Sequence, residues 1–195
     1  MLFSHVQIHS AVVSSYFYST IFHTEIMPKP EKADYPDFYT RYVAQVPEVK
    51  LNELLASQCD KTKALFGGLS RSQAEYAYAP GKWTLKEVLG HIVDSERVFA
   101  YRALCMARGD QQSLPGMDQD IYMAHAGFAN RSMESLIAEY DSVRQSTIQF
   151  FNGLSEDDLK KTGIANNGQF TVNALMYIIA GHELHHMEVI AERYL

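Results

Sequence analysis

Residues 172–190 read VNALMYIIAGHELHHMEVI, and their periodicity is that of a buried helix. Val172, Leu175, Ile179 and Ile190 advance by threes and fours together with His182 and His186, so both histidines extend the apolar stripe of a helix. Two imidazoles at i and i+4 stand one turn apart on one face, close enough for both to reach a single ion at about 2.0–2.1 Å. Hydrogen-bonded core histidines would produce the same pattern. Eight histidines in 195 positions give a spacing of four by chance about 0.3 times, so the spacing alone is weak. His5 and His9 share it without an amphipathic surround, and no ligand role is expected there.

Three further helices precede this one in the sequence. The first runs from about Val46, with Val49, Leu51, Leu54, Leu55, Leu65 and Phe66 among charged residues, and stops at Gly67-Gly68. The second opens after Pro80-Gly81, where Thr84 and Glu87 form a capping box, and ends near Arg108-Gly109. It carries His91 beside a stripe of Leu85, Val88, Ile92 and Phe99. The third follows Ser132 through Leu136, Tyr140, Val143, Ile148 and Phe151 to Gly153. A short helical piece is expected near Asp118–Ala126, a connecting turn at Ser155–Asp158, a small hairpin closed by Asn166-Asn167-Gly168, and Thr171 as the cap of the last helix. Four long helices predict an all-α four-helix bundle, an architecture that builds metal sites in its core from facing helices. If the second and last helices face one another, His91 joins His182 and His186 there.

The neighbouring residues carry bland and functional readings side by side. HELHH at 182–186 satisfies the zincin string H-E-x-x-H, with Glu183 as general base of a metalloprotease. Only nine residues follow His186, and Val189 and Glu192 stand where the extended motif needs glycine and histidine. Glu183, about 100° round the helix from His182, is therefore expected as an outward carboxylate flanking the site. His185 is expected beside the ligands, and His125 on the surface. Glu87 and Asp94 lie at i−4 and i+3 from His91; Glu87 has its capping task, and Asp94 could orient an imidazole or act as a base. Trp83 fits a packing anchor, and Tyr101, Tyr122, Tyr140 and Tyr177 fit the core or a pocket wall.

Seventeen basic and 23 acidic side chains leave a net charge of −6, which offers no field for nucleic acid. Two isolated cysteines, Cys59 and Cys105, suit small hydrophobes in a reducing compartment, and the cytoplasm is the expected location. Residues 1–26 contain no Lys or Arg and no helical period; they lack the basic start of a secretory signal and are too interrupted for a membrane span. MPKPEKADYP from Met27 reads as an ordinary start, so residues 1–26 are expected as an upstream extension outside the fold, within an irregular segment 1–35 that precedes the bundle domain at 36–195.

KWTLKEVLGHIVDSERV (82–98) and ALMYIIAGHELHHMEVI (174–190) resemble the two signature helices of DinB-like proteins, over about residues 46–195. The resemblance implies a four-helix bundle in which His91, His182 and His186 hold a divalent ion, commonly zinc, nickel or iron. Relatives of that family include thiol transferases and a mycothiol-dependent isomerase, in which a metal lowers the pKa of a thiol or water. It implies a metal-dependent enzyme, first a transferase adding a low-molecular-weight thiol to small electrophiles, with hydrolysis of a small molecule or a non-catalytic stress-response binding module as alternatives. A small-molecule substrate and a homodimer are the expected partners; nucleic acid and membrane are not. Three imidazoles suit zinc, nickel, copper and iron alike, and the pocket wall is expected from the loop Ser113–His125.

Overall fold

The computed structural model describes residues 27–195. Its long helices are α2 (Leu51–Gly67), α4 (Leu85–Ala107), α6 (Met133–Asn152) and α8 (Val172–Arg193), joined by the shorter α1 (Thr40–Gln45), α3 (Arg71–Ala74), α5 (Gln119–Ala126) and α7 (Glu156–Lys160). α4 packs between α8 and α6, and α2 lies against α6 and, less extensively, α8. The fold is the expected four-helix bundle. None of the helices among the described residues is long and apolar enough to cross a membrane.

Local chemistry sets where the helices begin. Thr84 Oγ1 accepts from the Glu87 amide while Glu87 accepts from the Thr84 amide at 2.7 Å, so two otherwise orphaned donors are satisfied at the start of α4. Asn166 and Asn167 take left-handed conformations, φ 49° and 60°, which turn β1 (Thr162–Ala165) back into the antiparallel β2 (Gly168–Thr171). β2 ends on Thr171, whose hydroxyl accepts from the Ala174 amide and caps α8. The strand thus feeds the helix with no intervening residue. Leu114 is strapped to the same hairpin: its amide donates to the Ile164 carbonyl at 2.9 Å and its carbonyl accepts from the Asn166 amide at 3.0 Å.

Two boundaries differ from the expected ones. The first helix begins at Leu51, and Thr40–Gln45 forms a separate helix. Proline 47 disfavours the helical region for the residue before it, and Val46 is extended, with φ −77° and ψ 120°. The expected extension at 1–35 is packed over residues 27–35, while residues 1–26 lie outside the described residues. Tyr177 donates to the Met27 carbonyl at 2.9 Å, Asn173 donates to the Pro28 carbonyl at 3.0 Å, and Tyr35 is buried.

α8 is the centre of the molecule, and its residues Ala174–Glu183 are all buried. α1 crosses it at Gly181, where an added Cβ would stand 2.1 Å from the Tyr42 carbonyl oxygen. Absence of a side chain at Gly181 is what lets the two backbones approach. Gly90 plays the matching part in α4, since a Cβ there would lie 2.4 Å from the ring of Phe128.

Candidate metal centre

α4 and α8 face one another and carry His91, His182 and His186 to one place. The Nε2 atom of His182 lies 3.2 Å from that of His91 and 3.1 Å from that of His186, and the ligand atoms of all three are within 4.8 Å of one another. Two nitrogens bound to one ion at about 2.0–2.1 Å with a tetrahedral angle between them stand about 3.3 Å apart, close to these separations. Hydrogen bonding accounts for the cluster less well. A proton on His182 Nε2 can point at only one neighbour, and a lone pair there must be shared between two, whereas one cation faces all three nitrogens. The donor set fits a divalent metal.

Aromatic rings pack against the imidazoles of His91 and His182. Trp83 lies 4.8 Å from the His91 ring centroid, and Tyr42 and Phe99 lie 5.3 and 6.0 Å from that of His182. Burial pushes the His91 pKa down to about 4; burial first, then the neighbouring His91 and His185, pushes His186 down to about 3. Burial also lowers His182 well below its ordinary value, reinforced by His186 and His91. All three are thus neutral at pH 7, the form that binds metals.

A pH dependence follows for the metal-free chain. An unfolded imidazole has a pKa of about 6.5, so between that value and about 4 the unfolded chain takes up protons that the folded chain refuses. Stability is full above this window and falls with pH, by up to about 1.4 kcal/mol per pH unit for each histidine. Urea midpoints measured with chelator present should decline from about pH 7 to about pH 5. A flat profile would contradict the neutral, desolvated triad.

Beside the triad runs a cavity of about 350 Å³, with His91 and His182 at one end, Arg102 further along α4, and walls including Tyr39, Phe99 and Phe170. The expected wall from Ser113–His125 contributes Met117 and Gln119; most of the lining comes instead from Pro36–Tyr42, α4 and the Asn166–Phe170 hairpin. A larger cavity of about 440 Å³ lies at Met27–Asp34 and α7, away from the histidines.

Comparison with known proteins places this arrangement. The sequence profile of the DinB superfamily matches residues 54–190, both histidine helices included. The chain belongs to the DinB superfamily. A protein of Oceanobacillus iheyensis proposed to be a metal-dependent hydrolase is 24% identical over 121 residues, which span 61% of this chain and 69% of that protein. YfiT from Bacillus subtilis, described as a probable metal-dependent hydrolase with an unusual four-helix bundle topology, superposes with a TM-score of 0.65 at 18% identity. The match covers 73% of this chain and 83% of YfiT, and at that identity it shows a common fold.

The remaining site residues of this DinB-superfamily chain separate clearly. His185 sits beside the triad, its ring 5.5 Å from that of Tyr42. His125 is exposed on α5. Asp94 pairs with Arg97 at 3.6 Å, and Arg97 in turn reaches Glu139 at 2.5 Å. Burial raises the Asp94 pKa, with Arg97 opposing the shift. Glu87 is engaged in the cap. Tyr140 and Tyr177 are in the core, but Tyr101 and Tyr122 are 56% and 44% exposed and belong to neither core nor cavity wall.

Glu183 requires a correction. It is 1% exposed rather than outward-facing, because α8 is enclosed on every side at this level and has no solvent face to offer. Its carboxylate accepts from Thr62 at 2.5 Å, from Tyr140 at 2.8 Å, and from the guanidinium of Arg144. Arg144, fully buried, also makes a two-pronged pair with Glu96. This network pins the rotation of α8 one residue from His182. Sequence reasoning passed over Glu96 and Arg144, although a charge inside an apolar stripe marks each of them: Arg144 falls between Tyr140 and Ile148. It also passed over Tyr42 and Arg102.

Proposed function

We propose that this chain is a divalent-metal-dependent enzyme acting on a small molecule in the cavity beside His91, His182 and His186, with hydrolysis as its reaction. The observation that carries the reading is the convergence of three neutral imidazoles, with the Nε2 atoms of His91 and His186 3.2 and 3.1 Å from that of His182, beside a cavity that His91 and His182 line. The names of the Oceanobacillus iheyensis protein and of YfiT point the same way. A divalent ion held there would supply a Lewis acid and lower the pKa of a bound water or thiol toward neutrality. The chain itself supplies the rest: three imidazoles that stay unprotonated, rings packed against His91 and His182, and a cavity that orients the substrate.

A thiol as the nucleophile is a second reading, and the carboxylates favour it. Glu183 serves Arg144, Glu87 caps α4, Asp94 faces Arg97 and Glu188 accepts from Gln45 at 3.0 Å, so each neighbouring acid is engaged in structure. A thiol bound to a metal loses its proton without help from a base.

Protein purified without chelator or a nickel column should hold about one divalent ion per chain, and His91→Ala, His182→Ala and His186→Ala should each lose it while staying folded. Elemental analysis with circular dichroism reads this directly. A metal-free wild type, or a variant that keeps the wild-type content, would remove the proposal. Turnover of a small ester that needs metal alone supports hydrolysis; turnover of an aromatic halide that needs metal and a thiol supports transfer.

A further inference from the structure

We infer that Arg102 is the anion-binding end of the substrate cavity and selects small molecules that carry a carboxylate. The inference rests on reading the cavity beside the triad as the substrate site. His91, Ser95, Phe99 and Arg102 follow one another along α4 by four, four and three residues, so they share one face, and all four line this cavity.

Arg102 is 3% exposed. It donates to the Pro115 carbonyl at 2.8 Å and lies 5.8 Å from the centre of the Phe99 ring. Among the described residues no carboxylate pairs with it. The contrast with Arg144 is direct, because that equally buried guanidinium has both Glu96 and Glu183. A guanidinium is always charged and carries five N–H donors, and a desolvated charge without a counter-ion is unfavourable. One carbonyl uses one of those donors. The planar fork that remains matches a carboxylate in size and charge.

The position of Arg102 also limits the ligand. Arg102 lies eleven positions beyond His91 on α4, a rise of about 16 Å along the axis, and its side chain leans back toward the triad. Between the two ends α4 contributes Ser95, Val98 and Phe99, and the wall also includes Tyr39 and Phe170. The fitting ligand therefore has a carboxylate at one end, a largely apolar middle, and its reactive bond at the histidine end. A single guanidinium, with no second Lys or Arg lining the cavity, favours a monoanionic carboxylate over a phosphate dianion at that end.

The test is calorimetric titration of the full chain, with and without chelator, using n-alkyl carboxylates of about four to eight carbons, the matching amides and the alkyl phosphates. The expected result is a preference for carboxylate over amide of about tenfold or more, in line with a charge-assisted hydrogen bond. Arg102→Gln should abolish the preference, and Arg102→Lys should keep a reduced one; circular dichroism checks that both fold. The inference is overturned if amide and carboxylate bind alike, if Arg102→Gln binds as the wild type does, if phosphate binds more tightly than carboxylate, or if no carboxylate in the series binds. His186→Ala separates this idea from the metal reading: it should lose metal yet keep the carboxylate preference in chelator. Loss of that preference in a folded His186→Ala would overturn the assignment to Arg102 alone.

Discussion

Arg144→Met is expected to lower the unfolding free energy by about 3–5 kcal/mol, because it leaves charged groups buried without their partner. The Arg144 guanidinium is fully buried and meets Glu96 at 2.7–3.1 Å, the Leu55 carbonyl at 3.2 Å, and Glu183. Burial disfavours its charge, but Glu183 and Glu96 outweigh that and raise its pKa well above the ordinary value. With the arginine gone, two buried carboxylates face one another across α4 and α8. A domain of this size has a total stability of about 5–15 kcal/mol, so the loss is a large share of it. Adding Glu96→Gln and Glu183→Gln to Arg144→Met removes the stranded charges and should restore part of the stability. Urea unfolding of the single and triple variants measures both steps; a single variant within about 1 kcal/mol of wild type would show that the network contributes little.

The second large effect is expected from a single methyl group. In Gly181→Ala the new Cβ would stand 2.1 Å from the Tyr42 carbonyl oxygen and 2.5 Å from its carbonyl carbon, so α1 has to lift from α8. Overpacking of this kind costs about 1–3 kcal/mol, and here the obstacle is backbone, which cannot rotate away. Lifting α1 also carries the Tyr42 ring away from His182, 5.3 Å between centroids, and admits water to the triad. Metal affinity should fall with stability, by about 10–100-fold, as when a group supporting a ligand is displaced. Gly67→Ala is the control, since the added Cβ there meets only Ile137 Cδ1 at 4.0 Å. Equal thermal midpoints for the two alanine variants would refute the steric account.

Features that depend on neighbouring residues were legible in the sequence. The Thr84–Glu87 box, the Thr171 cap and the Asn166-Asn167-Gly168 turn each satisfy backbone groups within a few residues, and each lies where its local chemistry puts it. The amphipathic stripe likewise brought His182 and His186 inward, and the facing of α4 and α8 brought His91 to them. Glu183 shows where such reasoning stops. A stripe divides a helix into an inner and an outer face, which holds at the periphery of a bundle; α8 is enclosed, and the fate of its carboxylate was decided by Arg144 on another helix. The role of α1 was hidden for a related reason. Six residues are too few for a periodic pattern, and their burial comes from the bare backbone at Gly181, 139 positions after Tyr42 in the chain.

The direct passage of β2 into α8 bears on how the cavity wall is held. Asn166, Asn167 and Gly168 line the cavity, and that part of its wall is continuous, through Thr171, with the helix that carries His182 and His186. It is also tied by Leu114 to the strand on its other side. Displacing this part of the wall would draw on the start of α8 and on the position of His182. The wall segment Pro36–Tyr42 differs: it meets Gly168 and α8 by packing, without a covalent continuation into the histidine-bearing helix, and Phe38 on it stands 62% exposed.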